Sequence, residues 1–164
     1  MKALHCIIPV VIISALIYTS CEPFEKVSDV PEIHFKKYTS FVIDTLDMIV
    51  PVGELVFSFV DGDADFGIDT MLRYADTVNL FLNAFQKVGG DYDSVNANTY
   101  GRKYGIFRDE QMDRTGGNTT IKGDIKLQIY YFLTPPFDTI RYEFYIVDRA
   151  GHKSNIESTT DIAF

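Results

Sequence analysis

From residue 32 onward the chain alternates between apolar and polar positions. In Asp124 to Leu133, Ile125, Leu127, Ile129, Tyr131 and Leu133 fall on one face, and Lys126, Gln128 and Tyr130 on the other. In Thr139 to Asp148, Ile140, Tyr142, Phe144 and Ile146 alternate with Arg141, Glu143 and Tyr145. An apolar side chain at every second position covers one face of a pleated strand, so both segments are predicted to be half-buried strands. Shorter runs of the same period predict strands at Glu32 to Tyr38, Ser40 to Asp44, Glu54 to Val60, Thr77 to Lys87, Tyr104 to Arg108 and Ser154 to Thr159. No stretch of a dozen residues keeps a helical repeat.

About seven or eight short strands bounded by Gly, Asp, Asn and Pro clusters predict an all-β fold, an antiparallel two-sheet sandwich of immunoglobulin or fibronectin III type. The tryptophan and disulfide of antibody domains are absent, and a jelly roll or open barrel is the alternative. The thirteen phenylalanines and ten tyrosines are expected mainly in the core and in cross-strand pairs. One segment breaks the rhythm. Val88 to Gly123 is polar and glycine-rich, and a connection of that length is predicted to carry a binding surface.

The first residues follow a different pattern. Met1 and Lys2 precede an apolar run over residues 3 to 18, interrupted only by His5 and Ser14. Sixteen residues fall short of the roughly 20 that a membrane-spanning helix needs, and Pro9 disturbs a helix, so residues 1 to 20 read as a signal peptide. The run ends in Tyr18-Thr19-Ser20-Cys21. Small residues directly before a cysteine resemble a bacterial lipobox, with Tyr18 where Leu is commonest, which implies cleavage before Cys21 and lipidation there. Ordinary signal cleavage, leaving a free Cys21, is the plainer alternative. The polar, proline-containing stretch 21 to 31 reads as a tether, and 32 to 164 as the domain.

Cleavage would remove 20 of 164 residues and leave 144, one domain's worth, with no cysteine available to pair inside it. All 23 acidic residues and 14 of the 15 basic ones follow Cys21, a net charge of −9. That surface repels phosphate backbones and anionic headgroups, which excludes nucleic acid as an expected partner and leaves membrane attachment to the lipid on Cys21.

VFSFVDGDADFGID (56 to 69) and PPFDTIRYEFYIVDRAGHKSNIESTTDI (135 to 162) resemble a group of short Bacteroidetes lipoproteins of uncharacterised function. Those proteins combine a lipobox, an early Asp-Gly-Asp-x-Asp-x-Gly turn and a late strand closed by Asp-Arg-Ala-Gly. The resemblance implies an Ig-like sandwich at the outer membrane, on its periplasmic or its surface face, and no activity. Glu22 and Glu25, interrupted by Pro23 and Phe24, faintly resemble the acidic export signal of surface lipoproteins in that group.

Asp61, Asp63, Asp65 and Asp69, with Gly62 and Gly67 between them, form the densest carboxylate cluster. Oxygen donors at alternate positions suit a hard cation such as Ca²⁺, and D-x-D-x-D matches the opening of an EF-hand loop. Phe66 stands where that loop needs Gly and Leu72 where it needs Glu, so a complete EF-hand is excluded and a looser calcium site stays open. The plainer reading is an acidic turn whose side chains cap nearby backbone N–H groups.

Asp91 with Asp93, or Asp109, Glu110 and Asp113, could supply paired carboxylates for glycoside hydrolysis, but solvated surface is the favoured reading in so acidic a composition. His34 and His152 are too few for zinc without a cysteine, and no nucleophile elbow or phosphate loop is present. The chain is therefore expected not to be an enzyme. Asp148-Arg149-Ala150-Gly151 reads as turn chemistry, with Gly151 at positive φ and Arg149 paired to a carboxylate. The expected role is an envelope interaction module for a protein partner. The alternative is a glycan-binding accessory lipoprotein that uses Tyr92, Tyr100 and Tyr104 in the long connection as stacking faces.

Overall fold

The alternation becomes two antiparallel sheets in a computed structural model of the chain, which describes residues 27–45, 48–68, 78–108, 120–132 and 136–164. The described strands are β1 (Glu32–Thr45), β2 (Met48–Asp61), β3 (Leu80–Val88), β4 (Asp91–Ser94), β5 (Arg102–Tyr104), β6 (Ile121–Tyr130), β7 (Thr139–Ile146), β8 (Glu157–Ser158) and β9 (Ile162–Ala163). One helical turn, α1 (Ala97–Tyr100), lies between β4 and β5. No helix among the described residues is long and apolar enough to cross a membrane.

One sheet has the order β1-β2-β6 and the other β4-β3-β7-β8, with β5 also on β3 and β9 also on β7. Both edges of the second sheet are therefore split into two short segments, which leaves little unpaired backbone for another chain to extend. Counted as one strand each, the split edges give seven strands, three against four. The first, second and fifth form one sheet; the order of the other is fourth, third, sixth, seventh. That is the arrangement of a fibronectin III sandwich, so the all-β expectation holds.

The core lies between the sheets. Leu55, Phe57 and Phe59 of β2 face Leu80 and Leu82 of β3 and Tyr142, Phe144 and Ile146 of β7, all at most 1% exposed. Phe57 and Phe144 meet at 5.1 Å between ring centroids. Each such side chain stabilises the fold by roughly 1.5–3 kcal/mol through burial. The face predicted for β7 is the buried one, and so is that of β6, where Ile125 and Ile129 are buried and Leu127 half-buried.

The two early strands predicted at 32 to 38 and 40 to 44 are one. The register shifts between Phe35 and Lys37, so Lys36 is a bulge residue, and the inward positions change parity from Ile33 and Phe35 to Tyr38 and Ser40. The change of phase that resembles a strand boundary is this bulge. Strand β4 escapes the period because Asp91-Tyr92-Asp93-Ser94 has no apolar alternation. Its signal is Gly89-Gly90, both at positive φ (60° and 101°), which forms the two-residue loop of a hairpin in which Val88 pairs with Asp91. Much of the predicted long connection is thus ordered strand and turn, up to Arg108; residues 109–119 lie outside the described residues.

A candidate metal centre and an uncovered sheet face

Strand β2 carries the two features of functional interest toward its opposite ends, Asp61 at one and Ile49 and Pro51 at the other, ten to twelve residue steps apart, or about 33–40 Å at the rise of a strand.

At its C-terminal end, parity places Asp61 on the inward face, in line with Leu55, Phe57 and Phe59. The residue is 0% exposed. Its Oδ2 accepts the N–H of Phe66 at 2.7 Å, while Oδ1 is buried and accepts no hydrogen bond. The chain then turns through Ala64 at φ 59° and returns Phe66 to the core, where its ring lies 5.0 Å from that of Phe59. Phe66 is thus the anchor of the turn, which explains why this position departs from the EF-hand pattern. Asp65 repeats the arrangement of Asp61: Oδ2 accepts the N–H of Ala150 at 2.9 Å and Oδ1 is buried without a partner. One carboxylate oxygen from each of Asp61, Asp63 and Asp65 lies within 4.8 Å of the other two. Burial, against the pull of the Phe66 N–H and with added repulsion from Asp63 and Asp65, pushes the Asp61 carboxyl up to about 6. Burial and the neighbouring Asp148 and Asp63 raise Asp65 as well. Asp69 lies outside the described residues.

Three other segments hold this turn. The Gly62 N–H donates to the Ser28 carbonyl at 2.9 Å, and a Cβ on Gly62 would stand 2.3 Å from that oxygen, so only glycine admits the segment before β1 here. Arg108 donates to the Ala64 carbonyl at 2.8 Å. From the turn after β7, Arg149 Nε donates to the Asp65 carbonyl at 2.7 Å. Arg149 thus bonds the main chain of the acidic turn, and its charge acts on the Asp65 carboxylate beside it. The rest of Asp148-Arg149-Ala150-Gly151 is the expected turn: the Asp148 carboxylate accepts the His152 N–H at 2.7 Å, and Gly151 has φ 91°.

At the other end, the β1–β2 hairpin runs past β6, its neighbour in the same sheet. β6 pairs with β2 only as far as Val52, whereas β1 and β2 stay paired to Thr45 and Met48. Of the positions there that share the parity of Leu55 and Phe57, Val42 and Ile49 are 65% and 71% exposed and Pro51 is half-buried. Val42 and Pro51, with Phe41, Tyr131 and Phe164, border an apolar groove of about 330 Å³. Its floor is a tyrosine cluster in which the Tyr38 and Tyr131 hydroxyls are 2.7 Å apart and Tyr131 donates to Tyr142 at 3.4 Å. Burial pushes Tyr38 up to about 12 and raises Tyr131 and Tyr142 too. No repeat or motif marks this surface in the sequence; its signal is an apolar run in a hairpin longer than the strands beneath it.

The three loop tyrosines are separate. Tyr92 pairs with Lys87 and Tyr104 with Leu80, seven residues or about 23 Å apart along β3. The Tyr92 hydroxyl donates to Asp161 and its ring lies under Arg141 at 3.8 Å. Tyr100 packs edge-on against Phe137 at 5.0 Å. Asp91 and Asp93 are exposed on the β4 edge, and Asp109, Glu110 and Asp113 lie outside the described residues, as does Cys21. His34 is exposed on β1, 3.4 Å from Glu32 and 3.8 Å from Glu157.

Comparison of the chain with known protein families, with curated proteins and with solved structures finds no match.

Proposed function

We propose that the chain is a non-catalytic, lipid-anchored module of the bacterial outer membrane. In this reading it holds apolar side chains of a partner protein at the pole farthest from its anchor. The observation that carries the reading is the placement of the two ends of β2. The tether reaches the domain at Ser28, against Gly62, and the uncovered apolar face of Val42, Ile49 and Pro51 lies at the other end of the same strand. With Ser28 docked, six residue steps join Cys21 to Val27 and span at most about 20 Å. The uncovered face lies ten to twelve residue steps along β2 from Asp61, or about 33–40 Å, and so stands away from the point where the tether docks. A groove lined by Phe41, Val42, Pro51 and Phe164 has little to offer a sugar or an ion and suits apolar protein side chains.

A photo-reactive residue at Val42, introduced into the full chain in cells, is expected to give one discrete protein adduct, lost with Ile49→Asp and absent when the probe replaces Lys122 at the tether pole. Equal yields at positions 42 and 122, or no protein adduct at 42, would overturn the proposal. Adducts at multiples of the chain's own mass would replace the partner by a second copy.

Glycan binding stays as a second reading because of one feature on the outward face of the second sheet. The rings of Phe81 and Tyr145 stack at 5.0 Å and 11°, Lys153 lies 3.9 Å over Tyr145, and Asn83 and Lys103 border the same groove. Aromatic faces beside polar donors suit sugar C–H and hydroxyl groups. Millimolar glycan binding lost with Tyr145→Ala would support this reading, and a screen with no binder would remove it.

A further inference from the structure

The acidic turn and the tether meet at one place, and their geometry asks for a cation. Asp61 and Asp65 each use Oδ2 to cap a backbone N–H, of Phe66 and Ala150, and each leaves Oδ1 buried with no donor. An acidic turn that merely capped its own backbone would leave its remaining oxygens in water, where solvation offsets their charge. Here two are shut away from water, beside the carboxylate of Asp63, and Asp61 is 0% exposed. A buried, unpartnered carboxylate oxygen is costly unless a cation or a donor meets it.

The geometry points to a Ca²⁺ site formed by Asp61, Asp63 and Asp65, whose occupancy fastens the tether to the domain. The donor set is all carboxylate oxygen, which selects a hard cation over zinc or copper. Oxygens within 4.8 Å of one another fit around an ion whose bonds are about 2.3–2.6 Å, and an irregular turn suits the flexible coordination of Ca²⁺ better than Mg²⁺, which demands a near-ideal octahedron and gives up its waters reluctantly. Asp63 is exposed and gives the ion its way in, with water completing the shell. The coupling to the tether runs through one residue. Gly62 lies between two of the ligands and donates to Ser28, so ordering the turn orders the place where residues 27 to 31 dock. Asp65 carries the same coupling to the turn after β7 through Arg149 and Ala150.

The test uses the full chain in detergent, stripped with EDTA and titrated with CaCl₂ alone or MgCl₂ alone. One Ca²⁺ per chain is expected, with Kd on the order of 10⁻⁴–10⁻³ M as in extracellular modules, and with at least tenfold weaker Mg²⁺ binding. Proteolysis within residues 22 to 31 is expected to slow severalfold in Ca²⁺. Asp63→Asn, at an exposed position that leaves the core untouched, is expected to weaken Ca²⁺ binding at least tenfold and to abolish the protection. No heat of binding up to 10-millimolar-scale Ca²⁺, equal affinity for Mg²⁺, or an Asp63→Asn variant that binds like the parent would overturn the site. Binding without protection of the tether would overturn the coupling.

Discussion

Asp61→Asn offers a sign test of the electrostatics at the tether pole. The folded chain holds the Asp61 carboxyl at about 6 against an ordinary 3.8, and each unit of difference corresponds to about 1.4 kcal/mol. Keeping this group ionised at neutral pH therefore costs about 3 kcal/mol in the metal-free protein. Water on the exposed Asp63 side screens part of that, which brings the expected cost to about 2 kcal/mol. Asparagine keeps the shape and the acceptor for the Phe66 N–H but carries no charge. In EDTA at pH 7 the variant is expected to be more stable than the parent by about 2 kcal/mol, or roughly 6–8 °C in melting temperature for a domain of this size. The pH dependence follows the same sign. A raised carboxyl means that the folded state holds the proton more tightly, so metal-free parent protein loses stability as pH rises through about 6 and regains it on acidification toward 4. The variant keeps only the part of this slope that Asp65, also raised, contributes. In Ca²⁺ the order reverses, because a ligand at a hundredfold excess over Kd stabilises the parent by about 2.7 kcal/mol and the variant much less. Thermal melts of both proteins in EDTA and in Ca²⁺, at pH 5 and 7, decide the matter. A variant less stable than the parent in EDTA at pH 7, or one that keeps the parent's pH slope, would refute the reasoning.

Two further predictions concern the distal pole. A Cβ on Gly53 would stand 1.7 Å from the Tyr38 hydroxyl oxygen, so Gly53→Ala displaces that ring and is expected to cost about 1–2 kcal/mol in denaturant unfolding, the overpacking outweighing the gain in strand propensity. In a Tyr38→Ala background the same change should cost nothing, and an undiminished cost there would exclude this clash as the cause. The buried tyrosines predict alkaline lability: unfolded chain releases these protons near pH 10, whereas Tyr38 holds its proton to about 12, so stability falls as pH rises from about 10 to 12. Tyr131→Phe should flatten that fall in a denaturation series, and an unchanged slope would exclude the cluster as its source.

Alternation alone determined the all-β class, the inward faces of β6 and β7 and the approximate strand count, because burying one side of a pleated sheet forces a period of two onto the sequence. The sequence also showed the carboxylate cluster, since Asp61, Asp63 and Asp65 stand at alternate positions of one turn. Three things awaited tertiary structure. The break of phase at Lys36 is equally a strand end or a bulge until the partner strand supplies the register. The polar strand Asp91–Ser94 exists because β3 offers it an edge, a relation between segments that local composition does not record. Whether Asp61 caps, solvates or binds depends on its two oxygens. One meets Phe66 and the other is enclosed by the sandwich, and the enclosing walls come from residues far away in sequence. For the same reason the apolar positions of the long hairpin read as ordinary core, and only the folded chain shows Val42 and Ile49 uncovered where the hairpin continues past the end of β6.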